Sequence, residues 1–441
     1  MTRTSARAVC HRDRRAQDGR TFTQAPSTPR VYSSTVRRGL GSWYRGRVIQ
    51  RPWALLLSLS LSGVSQAVEV QTDARAAPVA LSAQEAQHIL ALGPWPPAPR
   101  RDPGNRVSGN ALAIELGRQL FRDPRMSPVG YIACVTCHQP DRAFTDIKAR
   151  AHGLADLPRN TPALANLSLQ RWYGWGGASD SLWMASIKPI LDAREFNGNS
   201  ALVTRLFARE PELAACYRRV FGVSPQRNPE RTVVNVGKAL AAYIETLVTA
   251  RTPFDEFRDA LARGDAHRMA AYPGAAVRGL KLFVGRAGCI SCHSGPNFSD
   301  GRFHPGVAPA DDMAAAVARS LADDGRLGDA RYLKASRFNL QGAYNDDSSR
   351  RNASATRHLA VNAGLAGQFR TPTLRNVAVT APYFHDGQTE RLIEAVQHPL
   401  PATSEPLLVG EIDDLAAFLL TLTDAHGSRR PWSPSGLTRC P

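Results

Sequence analysis

Two pentapeptides with the same spacing carry residues suited to redox chemistry. CVTCH at residues 134–138 and CISCH at residues 289–293 both have the form Cys-x-x-Cys-His. Each thiolate of such a motif can add to one vinyl group of a porphyrin, and the adjacent histidine can bind the iron. Zinc sites or structural disulfides are the alternatives, but neither explains a histidine directly after both cysteine pairs. The sequence therefore predicts two covalent haem c groups, held by Cys134, Cys137 and His138 and by Cys289, Cys292 and His293.

Similar segments flank the two motifs, which indicates an internal repeat. GRQLF (117–121) precedes the first motif and GLKLF (279–283) the second. LAAYIETL (240–247) and LAAFLLTL (415–422) follow them, both with apolar residues at helical spacing. Each half thus predicts a helix, a haem motif, a long irregular stretch and a closing helix. This order is typical of a class I cytochrome c domain, so we expect a mainly α chain with two such domains in tandem and long irregular loops.

The chain divides into five predicted segments. A first haem domain at 106–250 and a second at 251–425 follow an extended segment at 68–105, which is Pro- and Ala-rich with one short helix near 82–92. A basic leader with a secretory signal peptide occupies 1–67, and a tail occupies 426–441. Cys216 and Cys440 lie outside the haem motifs and can either pair with each other or stay buried.

The basic charge is concentrated in the leader. The formal net charge is +17, but residues 1–67 contribute +10 of it, so a nucleic-acid partner is not expected. A positive stretch ending at Arg51, an apolar run over 53–64 and a small residue at Ala67 predict export with cleavage after Ala67. The apolar run is too short to span a bilayer, so an uncleaved anchor is the weaker alternative. We therefore expect a periplasmic mature protein without a membrane span.

Two longer stretches resemble the bacterial dihaem cytochrome c peroxidases and their relative MauG, which oxidises tryptophans of a partner protein. They are PRNTPALANLSLQRWYGWGGASDSL (158–182) and FRTPTLRNVAVTAPYFHDG (369–387), and the resemblance runs from about Gly109 to Asp424. It implies a peroxidatic haem in the first domain, an electron-transfer haem in the second and a calcium ion between them.

The resemblance also implies roles for single residues. Glu195 matches the distal acid, which can take a proton from the near oxygen of peroxide and return it to the departing oxygen; a surface glutamate is the alternative. Trp175 matches the tryptophan between the haems, and a buried core indole is compatible with that role. His152 matches a loop histidine that caps the resting peroxidatic iron in the classical peroxidases, whereas that iron is open from the start in MauG-like members; a solvated loop histidine is the equal alternative. The expected calcium ligands are Asn160 through its side chain and Thr380 and Pro382 through their carbonyls.

The sixth ligand of the second haem departs from the family pattern. Peroxidases of this type supply a methionine shortly after the HDG motif and MauG supplies a tyrosine, but residues 385–408 contain neither. The corresponding position is Pro399, which cannot bind iron, so its neighbour His398 is the predicted ligand. His385 competes, although the family histidine at that position lies beside the haem without binding it. Replacing a thioether by a second imidazole should lower the reduction potential of this haem.

The combined prediction is an exported peroxidase. Hydrogen peroxide would be reduced at the first haem, with electrons relayed through the second from a c-type cytochrome or a copper protein. A MauG-like oxidant of a protein substrate is the first alternative. A non-catalytic electron carrier is the second, and Glu195 and the unequal axial ligands argue against it. A homodimer is the expected assembly.

Overall fold

The fold is built mainly from α-helices joined by long irregular loops. The structure is a computed structural model that describes residues 80–305, 323–397 and 406–424, all within one compact unit, Gln71–Pro441. The predictions for the signal peptide, for His398 and for Cys440 lie outside the described residues. Within them, no helix is long and apolar enough to cross a membrane. Cys216 is buried and disulfide-bonded.

Seven α-helices precede residue 245 in the described part of the chain. In chain order they are α1 (Ala83–Leu90), α2 (Ala111–Arg122), α3 (Cys134–Cys137), α4 (Leu182–Leu191), α5 (Ser200–Arg209), α6 (Pro211–Phe221) and α7 (Pro229–Ile244). The helix α1 lies within the stretch where the sequence predicts one. A capping box starts it, because Ser82 and Glu85 each bind the other's backbone N–H.

The remaining described α-helices and the two strands follow residue 252. The helices are α8 (Pro253–Arg263), α9 (Ala266–Ala270), α10 (Gly274–Val284), α11 (Arg326–Ala335), α12 (Ser354–Arg357), α13 (Leu392–Gln397) and α14 (Val409–Leu420). The second motif itself forms a single 3₁₀ turn, Cys289–Ser291. The strands β1 (Phe303–Pro305) and β2 (Gln368–Arg370) pair antiparallel, with Phe303 opposite Arg370.

The glycines of the repeated Gly-x-x-Leu-Phe segments lie at two close helix crossings. The helix α2 crosses α7 at Gly117, where an added Cβ would lie 2.0 Å from the carbonyl oxygen of Ala239. The helix α10 crosses α14 at Gly279, where it would lie 1.9 Å from the carbonyl oxygen of Asp414. Only a residue without a side chain lets the backbones approach this closely. The repeated segments therefore mark the same close helix–helix packing in both halves.

The described apolar residues form two separate hydrophobic clusters. One is built mainly by α2 and α4–α7, and the other by α8, α10 and α14. The clusters exchange elements, however: Ile89 of α1 packs in the second, and Leu333 of α11 packs in the first. Segment 80–105 precedes the first half in the chain but therefore contributes apolar residues to the second cluster.

A buried ion pair holds the RTPTLRN stretch against α8. Both terminal nitrogens of Arg375 lie 3.0 Å from the carboxylate of Asp255, and these side chains are 0% and 2% exposed. The same carboxylate accepts from the backbone N–H of Thr252 at the start of α8. The indole of Trp95 covers the guanidinium, whose central carbon lies 3.6 Å from a ring centroid. Each charge is therefore paired inside the protein, as a buried ion requires.

Candidate haem sites

Both motif histidines are held by the same hydrogen bond. The Nδ1 atom of His138 lies 3.0 Å from the carbonyl oxygen of Phe144, and that of His293 lies 3.0 Å from the carbonyl oxygen of Phe298. Donation from Nδ1 leaves Nε2 as the ligand atom, which is the usual arrangement of a metal-binding histidine. Burial lowers the pKa of both imidazoles, so the neutral, metal-binding form is favoured.

The internal repeat continues beyond the motifs. Phe144-Thr145-Asp146 and Phe298-Ser299-Asp300 each follow a motif histidine, and both phenylalanines have positive φ, 60° and 50°. Each aspartate accepts a hydrogen bond from the backbone N–H two residues further on, at 3.0 Å and 2.9 Å. These turns present the carbonyl groups that orient the histidines. These turns were not among the predicted features, although the Phe-[Thr/Ser]-Asp that they share is visible when the two halves are aligned beyond the motifs.

The four motif cysteines are free thiols in two separate places. Burial raises the pKa of Cys134 to about 12 and those of Cys137 and Cys289 to about 11. Among the described residues, the four thiols do not form one metal cluster, and only Cys292 belongs to a group of that kind. This arrangement argues against the zinc and disulfide alternatives and fits two independent attachment sites.

A cavity of about 700 Å³ opens beside the second motif. Its volume falls within the range of cofactor pockets, about 300–1,000 Å³. Cys289, Cys292 and His293 line it, with Leu415 and Leu419 of α14 on its apolar wall. The residues present therefore fit a porphyrin held by two thioether bonds and one imidazole. Among the described residues that line the cavity there is no carboxylate.

Trp175 connects the two halves at the edge of this cavity. Its indole Nε1 donates to the carbonyl oxygen of Asn160 at 2.9 Å, and its own carbonyl accepts from the backbone N–H of Arg370 at 2.7 Å. Asn160 in turn donates its backbone N–H to the carbonyl oxygen of His385 at 2.7 Å. The imidazole of His385 stacks on Phe369, with 3.6 Å between ring centroids. Trp175 thus contacts both halves of the chain, and its role between the haems stays a prediction.

The expected calcium ligands lie close to the same place. Asn160, Thr380 and Pro382 all line the cavity. The Nδ2 atom of Asn160 donates to the carbonyl oxygen of Lys148 at 3.0 Å, which orients the side-chain amide and leaves Oδ1 as the atom suited to a cation. The three residues therefore bring oxygen atoms of the type that calcium prefers to one region.

Glu195 lies in the turn after α4, near the first motif. Its side chain is 21% exposed, and burial raises the pKa of its carboxyl group. Burial is the main cause of the raised pKa of the Cys134 and Cys137 thiols, and the charge of Glu195 also contributes, so its carboxylate is within electrostatic range of both. The Nζ atom of Lys188 lies 3.6 Å from its Oε1 atom, a contact that the sequence analysis did not foresee.

The loop of His152 packs directly on the Glu195 turn. The backbone N–H groups of Leu154 and Ala155 donate to the carbonyl oxygen of Arg194 at 2.7 Å and 3.0 Å. The carbonyl of His152 accepts from the thiol of Cys137, which places the loop against the first motif. Its imidazole is 50% exposed and binds the carboxylate of Asp156, with 2.6 Å from Nδ1 to Oδ1. The loop is therefore beside the first motif, while the ring contacts Asp156.

Known proteins share these features. The family model described as di-haem cytochrome c peroxidase matches residues 111–263. The chain is 30% identical over 396 residues to the cytochrome-c peroxidase IdrP2 of Pseudomonas sp. strain SCT, over 86% of this chain and 94% of that protein. It is 29% identical over 389 residues to the methylamine utilization protein MauG of Methylorubrum extorquens strain AM1, over 85% and 96%.

The fold is also that of solved dihaem peroxidases. The diheme peroxidase BthA from Burkholderia thailandensis aligns with a TM-score of 0.56 at 23% identity, over 75% of this chain and 88% of that one. The paired Cys-x-x-Cys-His sites and the helical fold define a dihaem c-type oxidoreductase. The chain belongs to the dihaem cytochrome c peroxidase family, which includes MauG. Membership confirms the resemblance drawn from the two long stretches and implies two haem c groups.

Proposed function

We propose that the protein is a periplasmic peroxidase that reduces hydrogen peroxide at the first haem and receives electrons through the second. The observation that carries this proposal is the asymmetry between the two sites. Burial raises the pKa of the Glu195 carboxyl group beside the first motif, whereas the carboxylate beside the second motif, Asp300, binds a backbone N–H group and His304, which hold its pKa below the usual value. A group that exchanges protons is needed where peroxide reacts and not where electrons only pass.

The roles of the residues follow from their positions. When bound, the first haem would supply the iron at which peroxide is reduced, and His138 would hold that iron. The Glu195 carboxylate accepts the proton of the near oxygen and returns it to the departing oxygen, which leaves as water. Each turnover consumes one peroxide, two electrons from the donor and two further protons from solvent, and yields two waters. A carboxyl group with a raised pKa is suited to both halves of this exchange.

In this proposal, electrons reach the first haem from the second haem. Cys289, Cys292 and His293 hold the second haem, and His398 is its proposed sixth ligand. Trp175 bridges the halves by hydrogen bonds on both sides and is the proposed stepping stone. The donor is a small c-type cytochrome or copper protein. Calcium bound by Asn160, Thr380 and Pro382 would fix the carbonyl of Asn160 that accepts from the indole.

The order of the elements supports two tandem cytochrome c domains. The helix α7 ends at Ile244 and α8 begins at Pro253, so the proposed boundary between 106–250 and 251–425 falls in the segment that joins them. Each half has one hydrophobic cluster and a close helix crossing at the glycine of its Gly-x-x-Leu-Phe segment. Export, cleavage near Ala67 and a homodimer belong to the same proposal.

Substitution of the distal acid tests the proposal. Glu195→Gln should reduce peroxide turnover by about 10²–10⁴-fold, because an amide cannot accept and return the proton. Both haem spectra should stay as in the unaltered protein. Glu212→Gln, which changes an exposed glutamate of α6, is the matched control and should retain full turnover. Full turnover by Glu195→Gln would remove this residue from the mechanism.

A MauG-like oxidant of a protein substrate is the second candidate, and one observation favours it. The His152 side chain is 50% exposed on its loop, as expected for a member whose peroxidatic iron is open at rest, although its bond to Asp156 through Nδ1 leaves Nε2 available in either case. Spectra of the oxidised protein without oxygen, before and after addition of peroxide, separate the cases. A high-spin haem that reacts with peroxide at once indicates an open iron. Two low-spin haems that need one electron before they react indicate a His152 cap.

A further inference from the structure

Lys188 lies between two carboxylates and an aromatic ring beside the first haem motif. Its Nζ atom is 3.6 Å from Oε1 of Glu195 and 3.8 Å from Oδ2 of Asp192. The same atom lies 5.9 Å from the ring centroid of Tyr332, which reaches over from α11. Asp192 is one helical turn beyond Lys188, so α4 itself sets their separation. The lysine side chain is 31% exposed, and its charge is directed inward toward Glu195.

The turn that carries Glu195 is fixed by the backbone. The N–H of Glu195 donates to the carbonyl oxygen of Asp192 at 3.1 Å, and that of Phe196 to the carbonyl oxygen of Pro189 at 3.1 Å. Gly198 also packs tightly, because an added Cβ would lie 2.4 Å from the carbonyl oxygen of Met126. The backbone positions of Lys188 and Glu195 are therefore set by a tightly packed, hydrogen-bonded turn.

Charged and titratable groups on several elements surround Glu195. Among them, Lys188 stabilises its ionised carboxylate most. Burial raises the pKa of Glu195 most, and the neighbouring Asp192 carboxylate also raises it. Lys188 has the largest opposing effect, and Arg194, which pairs with Asp192 and is 54% exposed, has a smaller one. The other titratable groups nearby are Cys134 and Cys137 of α3, Tyr332 of α11, and His152 and Asp156 of the packed loop. The two thiols cease to titrate once they form thioether bonds.

We infer that Lys188 is a positioning residue that keeps Glu195 ionised, so that its carboxylate is ready to accept the first proton of peroxide. The inference rests on the proposed role of Glu195. Burial alone would keep the carboxyl protonated over more of the working pH range, and a protonated acid cannot start the exchange. A partly exposed ion pair contributes little to stability, so loss of the Lys188 charge should leave the fold intact. A change in the protonation of Glu195 would then report the electrostatic role of Lys188.

Infrared titration of the holoprotein tests this directly. The carboxyl band that disappears in Glu195→Gln reports the protonation of Glu195 without any turnover. In Lys188→Met its midpoint should move to higher pH, because the cation that stabilises the carboxylate is gone. The acidic limb of the turnover–pH profile should move the same way, with about tenfold lower turnover at a fixed pH on that limb and an unchanged plateau above it.

Two further variants control for the charge and its position. Lys188→Arg keeps a cation at the same place, so its band midpoint and its acidic limb should match those of the unaltered protein. Arg194→Met removes a more exposed cation of the same turn and should leave both close to those of the unaltered protein. An unchanged midpoint in Lys188→Met, or an equal shift in Arg194→Met, overturns the inference.

The outcome separates this inference from the proposed function. If Glu195→Gln retains full peroxide turnover, the proposed function of Glu195 fails, whatever the titration shows. If Glu195→Gln loses turnover and Lys188→Met leaves the midpoint and the acidic limb unchanged, only the role of Lys188 fails.

Discussion

Replacement of Gly279 by alanine should destabilise the second half of the protein through a backbone clash. The added Cβ would lie 1.9 Å from the carbonyl oxygen of Asp414, 2.4 Å from its carbonyl carbon and 2.8 Å from the amide nitrogen of Leu415. Favourable contacts of carbon lie near about 3.5 Å, so α10 and α14 must separate by about 1.5 Å at the crossing. The atoms in the way belong to the backbone of a helix and cannot rotate aside.

The cost follows from what this separation loosens. Leu280 and Phe283 of α10 and Leu415 and Phe418 of α14 are all buried at this crossing. Overpacking of a well-packed core costs about 1–3 kcal/mol, and a clash with rigid backbone belongs at the upper end of that range. We therefore expect Gly279→Ala to lose about 3 kcal/mol of the free energy of unfolding.

Urea unfolding of the purified holoprotein measures this loss, with a matched glycine as control. Gly410 lies near the start of α14, and an added Cβ there would meet no atom within 4 Å. Gly410→Ala should therefore leave stability unchanged or raise it by about 0.5 kcal/mol, because alanine is the better helix former. Equal unfolding midpoints for Gly279→Ala and Gly410→Ala would refute the close crossing.

Three further predictions concern other parts of the molecule. Arg375→Met should lower the free energy of unfolding by about 3–5 kcal/mol in the same urea assay, because it leaves the buried carboxylate of Asp255 without its partner; a loss below about 1 kcal/mol would contradict this. Trp175→Phe removes the indole N–H bound to Asn160 and should slow electron transfer between the haems in stopped-flow spectra while both haem spectra persist; an unchanged rate would exclude it from the route. His398→Gly should convert one low-spin haem to high-spin, and two unaltered low-spin signals would place the sixth ligand elsewhere.

The parts of the site that depend on local sequence could be predicted from it. Covalent haem attachment needs two cysteines and a histidine within one turn of chain, so the motif alone identifies Cys134, Cys137 and His138. The glycines of the repeat are visible for a related reason, since each begins the same Gly-x-x-Leu-Phe segment ahead of its motif. Glu195 carries no such local signal, and its assignment depended on resemblance to a family.

Features that depend on contacts between distant residues could not be predicted. Arg375 and Asp255 are 120 residues apart in the chain, and nothing in either neighbourhood shows that they pair. Lys188 and Glu195 are close in sequence, but their contact depends on the turn after α4, in which Asn197 has a φ of 52°. The docking of α1 on the second cluster likewise joins segments that composition alone assigns to different regions.

Because α1 packs against residues of the second half, its contacts cannot form in the order in which the chain is synthesised. The Nδ1 atom of His88 lies 3.2 Å from the carbonyl oxygen of Val284, 196 residues further along the chain. Arg258 donates to the carbonyl oxygen of Leu90 across 168 residues. Contacts of such long range form late, since the intervening chain must first be closed into a loop. The helix α1, which is synthesised before either haem motif, is therefore among the last segments to pack. An isolated C-terminal half would need residues 80–95 to keep its hydrophobic cluster covered.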